Sequence, residues 1–245
     1  MGHPTSGKIT MPSGQGSGGR GGAPVSPYLV PGFYDRALAA GRHRDIIGGR
    51  WEETGTIQMQ MLLAEGLHPR HRLLDIGCGP LRTGCRLVPY LDPGNYWGTD
   101  LSGALMRKGH AEELTEADRT RLPLSQLVED GNFGFPGLPD DFDYILCFAV
   151  FTHLPMNHLR RALLRVSARF PRFEKFLFTV FLAPDAAASI GPVRQPDGVV
   201  THDIRPPYHL VAEDVAHFAA QAGLRVHIRP DRLPRGQVLC IATRV

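Results

Sequence analysis

The sequence predicts an α/β fold: a doubly wound, mostly parallel seven-stranded sheet that ends in an antiparallel hairpin. Three observations carry this expectation. Between residues 71 and 182, apolar runs of strand length alternate with segments of helical period, the pattern of a parallel sheet covered on both faces. The run Tyr144-Ile145-Leu146-Cys147-Phe148-Ala149-Val150 is almost continuously apolar, as a central strand buried on both sides requires. Two further strands, 224–228 and 237–242, follow one another with only a loop between them, which implies antiparallel pairing at one edge.

Taken in order, residues 1–30 are rich in Gly, Ser and Pro. With few large apolar side chains to offset ordering entropy, they read as a disordered tail. A short helix over 33–40 ends at Gly41. A second, over 54–65, buries Ile57, Met61 and Ala64 at helical spacing and stops at Gly66; together, residues 31–66 form an N-terminal helical cover. The main domain, 67–245, opens with strand one at 71–76 and a helix to residue 91. Strand two at 95–100 is followed by a helix from 102 to about 115. Strand three is short, at 127–128, and strand four spans 142–150. The next helix presents Leu159, Leu163, Val166 and Phe170 on one face. Strand five covers 176–182, and Val215, Phe218, Ala219 and Ala222 mark a last helix closed by Gly223.

The composition narrows the function classes. The 245 residues suffice for one large α/β core, and 42% hydrophobic with 21% charged residues is ordinary for a globular chain. A net charge of +3 gives no nucleic-acid signature. Only Lys8, Lys108 and Lys175 are lysines, leaving 24 of the 27 basic residues as arginine, a skew that by itself indicates no function. The four cysteines form no C-x-x-C pair, so neither zinc nor a disulfide framework is expected and the chain reads as reduced and cytoplasmic. No stretch approaches a membrane span, and no signal-peptide core is visible.

Ligands of an open parallel sheet bind outside the carboxyl ends of the strands, where the strand order reverses. Gly77-Cys78-Gly79 lies at that end of strand one, and glycines there allow a tight bend and close ligand approach. A dinucleotide site would continue G-x-G-x-x-G, but Arg82 stands in the third position. Asp75 beside a pyrophosphate would be repulsive, whereas beside a cationic ligand it is favourable. Asp100 follows Gly79 by 21 residues and ends strand two, where a carboxylate can accept bonds from ribose hydroxyls.

Leu73-Leu74-Asp75-Ile76-Gly77-Cys78-Gly79 resembles motif I of class I S-adenosylmethionine (SAM)-dependent methyltransferases, of the bacterial small-molecule type. Tyr96-Trp97-Gly98-Thr99-Asp100-Leu101-Ser102 is similar to the acidic strand-two motif, and Val128-Glu129-Asp130-Gly131-Asn132-Phe133 to the adenine-contacting segment. Phe142-Asp143-Tyr144-Ile145-Leu146, with Val150-Phe151-Thr152-His153-Leu154-Pro155, resembles strand four and its loop. The resemblance implies a Rossmann-like methyltransferase fold with SAM as cofactor. Gly77 and Gly79, with Asp75 and Cys78, would border the methionine part. Asp100 and Leu101 would hold the ribose and Asp130 the adenine amino group, while Asn132, Phe133 and Phe148 complete the cofactor set. Trp51 and Gln58 would belong to the cover. Leu81 departs from the pattern, standing where many members carry a third glycine.

The expected reaction is methyl transfer to an oxygen or nitrogen of a small metabolite, a sugar or a secondary-metabolite scaffold. His153, just after strand four, is the candidate base; alternatively, Thr152-His153-Leu154-Pro155 is only a helix cap. His202, Tyr208 and His209 are candidate substrate contacts in the long segment after strand five, which reads equally as a surface loop. No ligand set for a metal is evident, Asp203 included. Arg205-Pro206-Pro207-Tyr208 mimics the signature of methyltransferases acting on planar amino groups, but it lies far from the end of strand four. The alternatives are an RNA or protein methyltransferase, a SAM-binding protein without turnover and, last, a nicotinamide dehydrogenase. The sequence does not determine the oligomeric state.

Overall fold

A computed structural model describes residues 25–245. The tail expected over 1–30 therefore lies outside the described residues up to residue 24.

The seven-stranded sheet has the order β3-β2-β1-β4-β5-β9-β8. Its five parallel strands are β1 (Leu73–Ile76), β2 (Tyr96–Asp100), β3 (Leu127–Glu129), β4 (Tyr144–Cys147) and β5 (Lys175–Val180). The hairpin of β8 (Leu224–Arg232) and β9 (Val238–Arg244) closes the edge, with β9 antiparallel to both β5 and β8. Strand order reverses beside β1, which pairs with β2 on one side and β4 on the other. The carboxyl ends of these three strands therefore converge on one crevice.

Burial alternates along each central strand between two cores. Leu74, Ile76, Ile145, Cys147, Phe176 and Phe178 face one, while Leu73, Tyr144, Leu146 and Leu177 face the other. Both faces being covered explains why the strands read as unbroken apolar runs. The first core is sealed by α6 (Met156–Arg169) and α7 (Ala212–Gln221), through Leu159, Leu163, Val166, Val215 and Ala219. The second lies under α2 (Trp51–Ala64) and α3 (Gly84–Tyr90), through Met61, Leu62, Leu87 and Val88. Helix α4 (Gly103–Glu113) approaches the turn after β1 so closely that a Cβ at Gly109 would lie 2.3 Å from the Pro80 carbonyl oxygen.

Several expected boundaries shift. Strand four stops at Cys147, not residue 150, because Ala149 adopts φ 57° and turns the chain. Thr152 caps no helix; its hydroxyl donates to the Ala149 carbonyl (3.0 Å), and α6 begins after Pro155. A short helix α5 (Glu116–Arg121), capped by the Thr115 hydroxyl, was not apparent from periodicity. The segment after β5 holds a two-stranded ribbon, β6 (Val193–Arg194) and β7 (Val200–Thr201). Helix α1 (Phe33–Ala39) contributes no buried residue.

Candidate cofactor and acceptor site

The glycine turn after β1 builds the floor of a cavity of about 180 Å³. Gly77 and Gly79 have φ 74° and 55°, a region glycine enters without steric cost. Space matters as well: a Cβ on Gly77 would meet Val150 Cγ2 at 2.4 Å. Leu81 has φ 64°, so the left-handed bend survives without the expected third glycine. The fully buried Leu81 side chain belongs to the second core. Leu81→Gly would relieve about 1–2 kcal/mol of backbone strain but forfeit a buried side chain worth roughly 2–5 kcal/mol. Net destabilisation of about 1–3 kcal/mol is expected in chemical denaturation; a gain in stability would show that strain outweighs burial there.

Of the three carboxylates that line the cavity, Asp75 and Asp100 are buried. Asp100 accepts the amides of Gly79 (3.0 Å) and Ser102 (2.9 Å), tying the β2 end to the glycine turn. Burial pushes its carboxyl up to about 6 despite these bonds. Asp75 accepts the Tyr96 hydroxyl at 2.9 Å, and burial pushes it up to about 7. Each therefore gains from a cationic or donor-rich neighbour in the cavity. Cys78 also lines the cavity, but its sulfur packs close to β2, where a Cβ on Gly98 would lie 2.8 Å from it.

Leu101, just after β2, and Asp130 and Phe133, after β3, line the cavity. The Asp130 carboxylate accepts three backbone amides, from Asn132 (3.0 Å), Gly134 (3.1 Å) and Phe135 (2.8 Å). It thus organises the loop that presents Phe133, at φ 60° and packed 5.9 Å from the Phe151 ring. Asn132, expected in the cofactor set, is exposed and is not among the residues that line the cavity. Beyond β4, the Ala149 amide donates to Thr179 Oγ1 at 2.8 Å. That bond fixes the turn carrying Phe148, Val150 and His153, all of which line the cavity. Burial pushes the His153 imidazole down to about 4, so it is neutral at physiological pH.

The roof includes residues that the sequence reading placed in the tail. Ser26, Tyr28, Leu29, Tyr34 and Ile47 line the cavity. The Tyr28 ring lies edge-on to His153 at 4.9 Å, and the Tyr208 hydroxyl donates to the Val25 carbonyl (2.8 Å). Arg82 grips the carbonyls of Ile47 (3.3 Å) and Gly49 (3.5 Å). Gln58, on α2, projects into the same space and is almost fully buried. Trp51 instead packs away from it, against His43 and under Arg44.

None of the expected substrate contacts reaches the cavity. His209 is buried, with Nδ1 bonded to Thr201 Oγ1 (2.8 Å) and Nε2 to the Ser189 carbonyl (2.9 Å). Tyr208 serves the roof through its hydroxyl, and His202 is partly exposed beside the β6–β7 ribbon. These residues build the segment after β5, where local polarity reflects internal bonding. Reading missed Tyr28, Tyr34, Arg82 and His158; aromatic residues beside the Gly/Ser-rich stretch were the available signal. Among the described residues, no trio of His, Cys, Asp or Glu is arranged to hold a metal, and no helix is long and apolar enough to cross a membrane.

A family model for a methyltransferase domain matches residues 74–170. Among solved structures, magnesium protoporphyrin IX methyltransferase (ChlM) from Synechocystis PCC 6803, with bound SAM, is 15% identical; the match covers 86% of this chain and 94% of that one, with a TM-score of 0.55. The glycopeptide N-methyltransferase MtfA, complexed with S-adenosylhomocysteine (SAH), is 16% identical over 78% of this chain and 87% of its own, with a TM-score of 0.54. A TehB-like SAM-dependent methyltransferase from Corynebacterium glutamicum is 17% identical over 88% and 100%, also with a TM-score of 0.54. Residues 74–170 thus match a methyltransferase-domain model, and the fold is that of the class I SAM-dependent methyltransferases.

Proposed function

We propose that the protein transfers a methyl group from SAM to an oxygen or nitrogen of a small molecule. The observation that carries this reading is the convergence of two buried carboxylates, Asp75 and Asp100, with a left-handed glycine turn on one cavity. The residues fit the cofactor on independent grounds. Gln58 Oε1 and Arg82 Nε are buried without partners in that cavity, and a buried orphan costs roughly 1–3 kcal/mol until something satisfies it. An ammonium and a carboxylate, the two ends of an amino acid, supply the complementary donor and acceptor. Asp100 would accept the ribose hydroxyls, and Leu101, Leu105 and Phe133 would enclose the adenine.

SAM, when bound, supplies a methyl group on a sulfonium that is already a good leaving group. Asp75, Asp100, Gln58 and Arg82 would hold SAM, whose sulfur would keep the electron pair of the carbon–sulfur bond as the methyl group goes to the acceptor atom, and the acceptor would give up a proton. The protein's task is alignment, for which effective molarities of roughly 10⁵–10⁸ M are available. The roof over residues 26–47 excludes water from that geometry. The four cysteines are free, which suits a reducing compartment such as the cytoplasm.

Titration calorimetry with SAM, followed by label transfer to a panel of hydroxylated and amino acceptors, tests the reading. Saturable SAM binding with labelled product is expected, and a folded protein that ignores SAM overturns it. His153 is proposed as the group that receives the departing proton. His153→Ala should lower kcat about 10²-fold with SAM affinity retained, whereas near-normal turnover removes it from that role. Because the imidazole is already neutral above about pH 5, the activity of the native protein should show no acid limb near pH 6.5 from this residue.

A further inference from the structure

The charged side chains that line the cavity are grouped on one set of elements. Asp75, Asp100, Asp130 and Arg82 all sit at the carboxyl ends of β1, β2 and β3 or in the turn after β1. The other end is bounded by Ser26, Tyr28, His153, Leu154 and His158, none of which carries a fixed charge. Aromatic rings dominate there. Tyr28 meets His153 edge-on at 83° and lies beside the Tyr34 ring at 6.3 Å, with 26° between their planes. Two polar atoms at this end, Ser26 Oγ and His158 Nδ1, are buried without a hydrogen-bond partner.

We propose that this end is the acceptor subsite and that it takes a flat, uncharged aromatic ring bearing a hydroxyl group. The proposal rests on the reading of the charged end as the SAM site and names the acceptor class for it. No lysine or arginine side chain bounds that end: Arg82 lies in the turn after β1, where its unpartnered Nε belongs to the cofactor reading, and Arg235 does not line the cavity and donates to the Gly48 carbonyl. A carboxylate buried there would lack a contacting cation, which is costly. A sugar would bring several hydroxyls to a wall that offers two orphan atoms and one imidazole, leaving most of them unsatisfied. An aromatic ring suits walls built from Tyr28 and Leu154, since ring pairs prefer edge-on or offset contact, and a single hydroxyl can answer the orphan atoms.

The test uses the full chain saturated with SAH, with saturation confirmed by calorimetry. Phenol, benzoate and glucose are then compared at equal concentration by saturation-transfer NMR. Phenol should receive saturation while benzoate and glucose do not. Tyr28→Ala should weaken phenol binding about two- to tenfold, and His158→Leu should weaken it as well, both measured on SAH-bound protein so that the fold is verified in the same sample. Benzoate or glucose binding as well as phenol overturns the acceptor assignment, as does silence from phenol while SAH binds normally. Failure to bind SAH removes the underlying cofactor reading along with it.

Discussion

Asp100→Ala is expected to weaken SAM binding at least tenfold, and about 10²-fold if both ribose hydroxyls are lost. A hydrogen bond to a charged group contributes roughly 1.5–3 kcal/mol, and this carboxylate faces the cavity from the end of β2. The substitution also frees the amides of Gly79 and Ser102, loosening the glycine turn itself. Asp100→Asn separates the two effects, because its amide oxygen still accepts an N–H while the charge is gone. Calorimetric titration of both variants checks this; unchanged affinity in Asp100→Ala would mean that the β2 end does not hold the cofactor. The acid range gives a second readout. With Asp100 near 6 and Asp75 near 7 in the unliganded protein, affinity for the cation should rise as pH increases through 6–7 and level off above.

Asp75→Asn should do the opposite to stability and to binding. The Asp75 carboxyl titrates near 7 in the fold against about 3.9 when unfolded. The folded state therefore binds the proton more tightly, and stability falls as pH rises. This carboxyl costs nothing below about pH 4, and the cost grows through the interval to a plateau above about pH 7. Asparagine removes that cost while its amide oxygen can still accept the Tyr96 hydroxyl. Without SAM, the variant should be more stable by about 2–4 kcal/mol at pH 8, with the gain vanishing toward pH 4. Its SAM affinity should nevertheless fall. Urea titrations at pH 4, 6 and 8 decide the matter: a gain independent of pH would place its origin in packing, and no gain would mean that Asp75 is not buried as a costly anion. Such a residue, destabilising alone and favourable beside a cation, is what a binding site requires.

Much of this architecture was legible in the chain itself. The apolar runs of β1, β4 and β5 identified a sheet covered on both faces, because a strand buried twice has no polar side to show. The paired strands at the end announced the β8–β9 hairpin. Gly77, Gly79, Asp75 and Asp100 were readable because a bend and its flanking carboxylates lie within a few residues of strand ends, and strand ends set the ligand site of such a fold. By contrast, the left-handed turns at Leu81 and Ala149 are imposed by packing and by the Thr179 bond, against local preference.

The roof was beyond reach for the same reason. Ser26 and Tyr28 sit beside a stretch whose composition suggests disorder, yet the contact with His153 and the Tyr208–Val25 bond hold them over the cavity. His209 looked free to meet a ligand until its bonds to Thr201 and the Ser189 carbonyl were seen, and Asp130, which lines the cavity, also orders its own loop. Periodicity and turn chemistry act between near neighbours, so the sequence alone determined the sheet, its order of elements and the glycine turn with its two flanking carboxylates. Which side chains close the cavity, and which polar atoms in it stay unsatisfied, depends on contacts between residues more than a hundred positions apart, such as Val25 and Tyr208. Only the tertiary structure decided that.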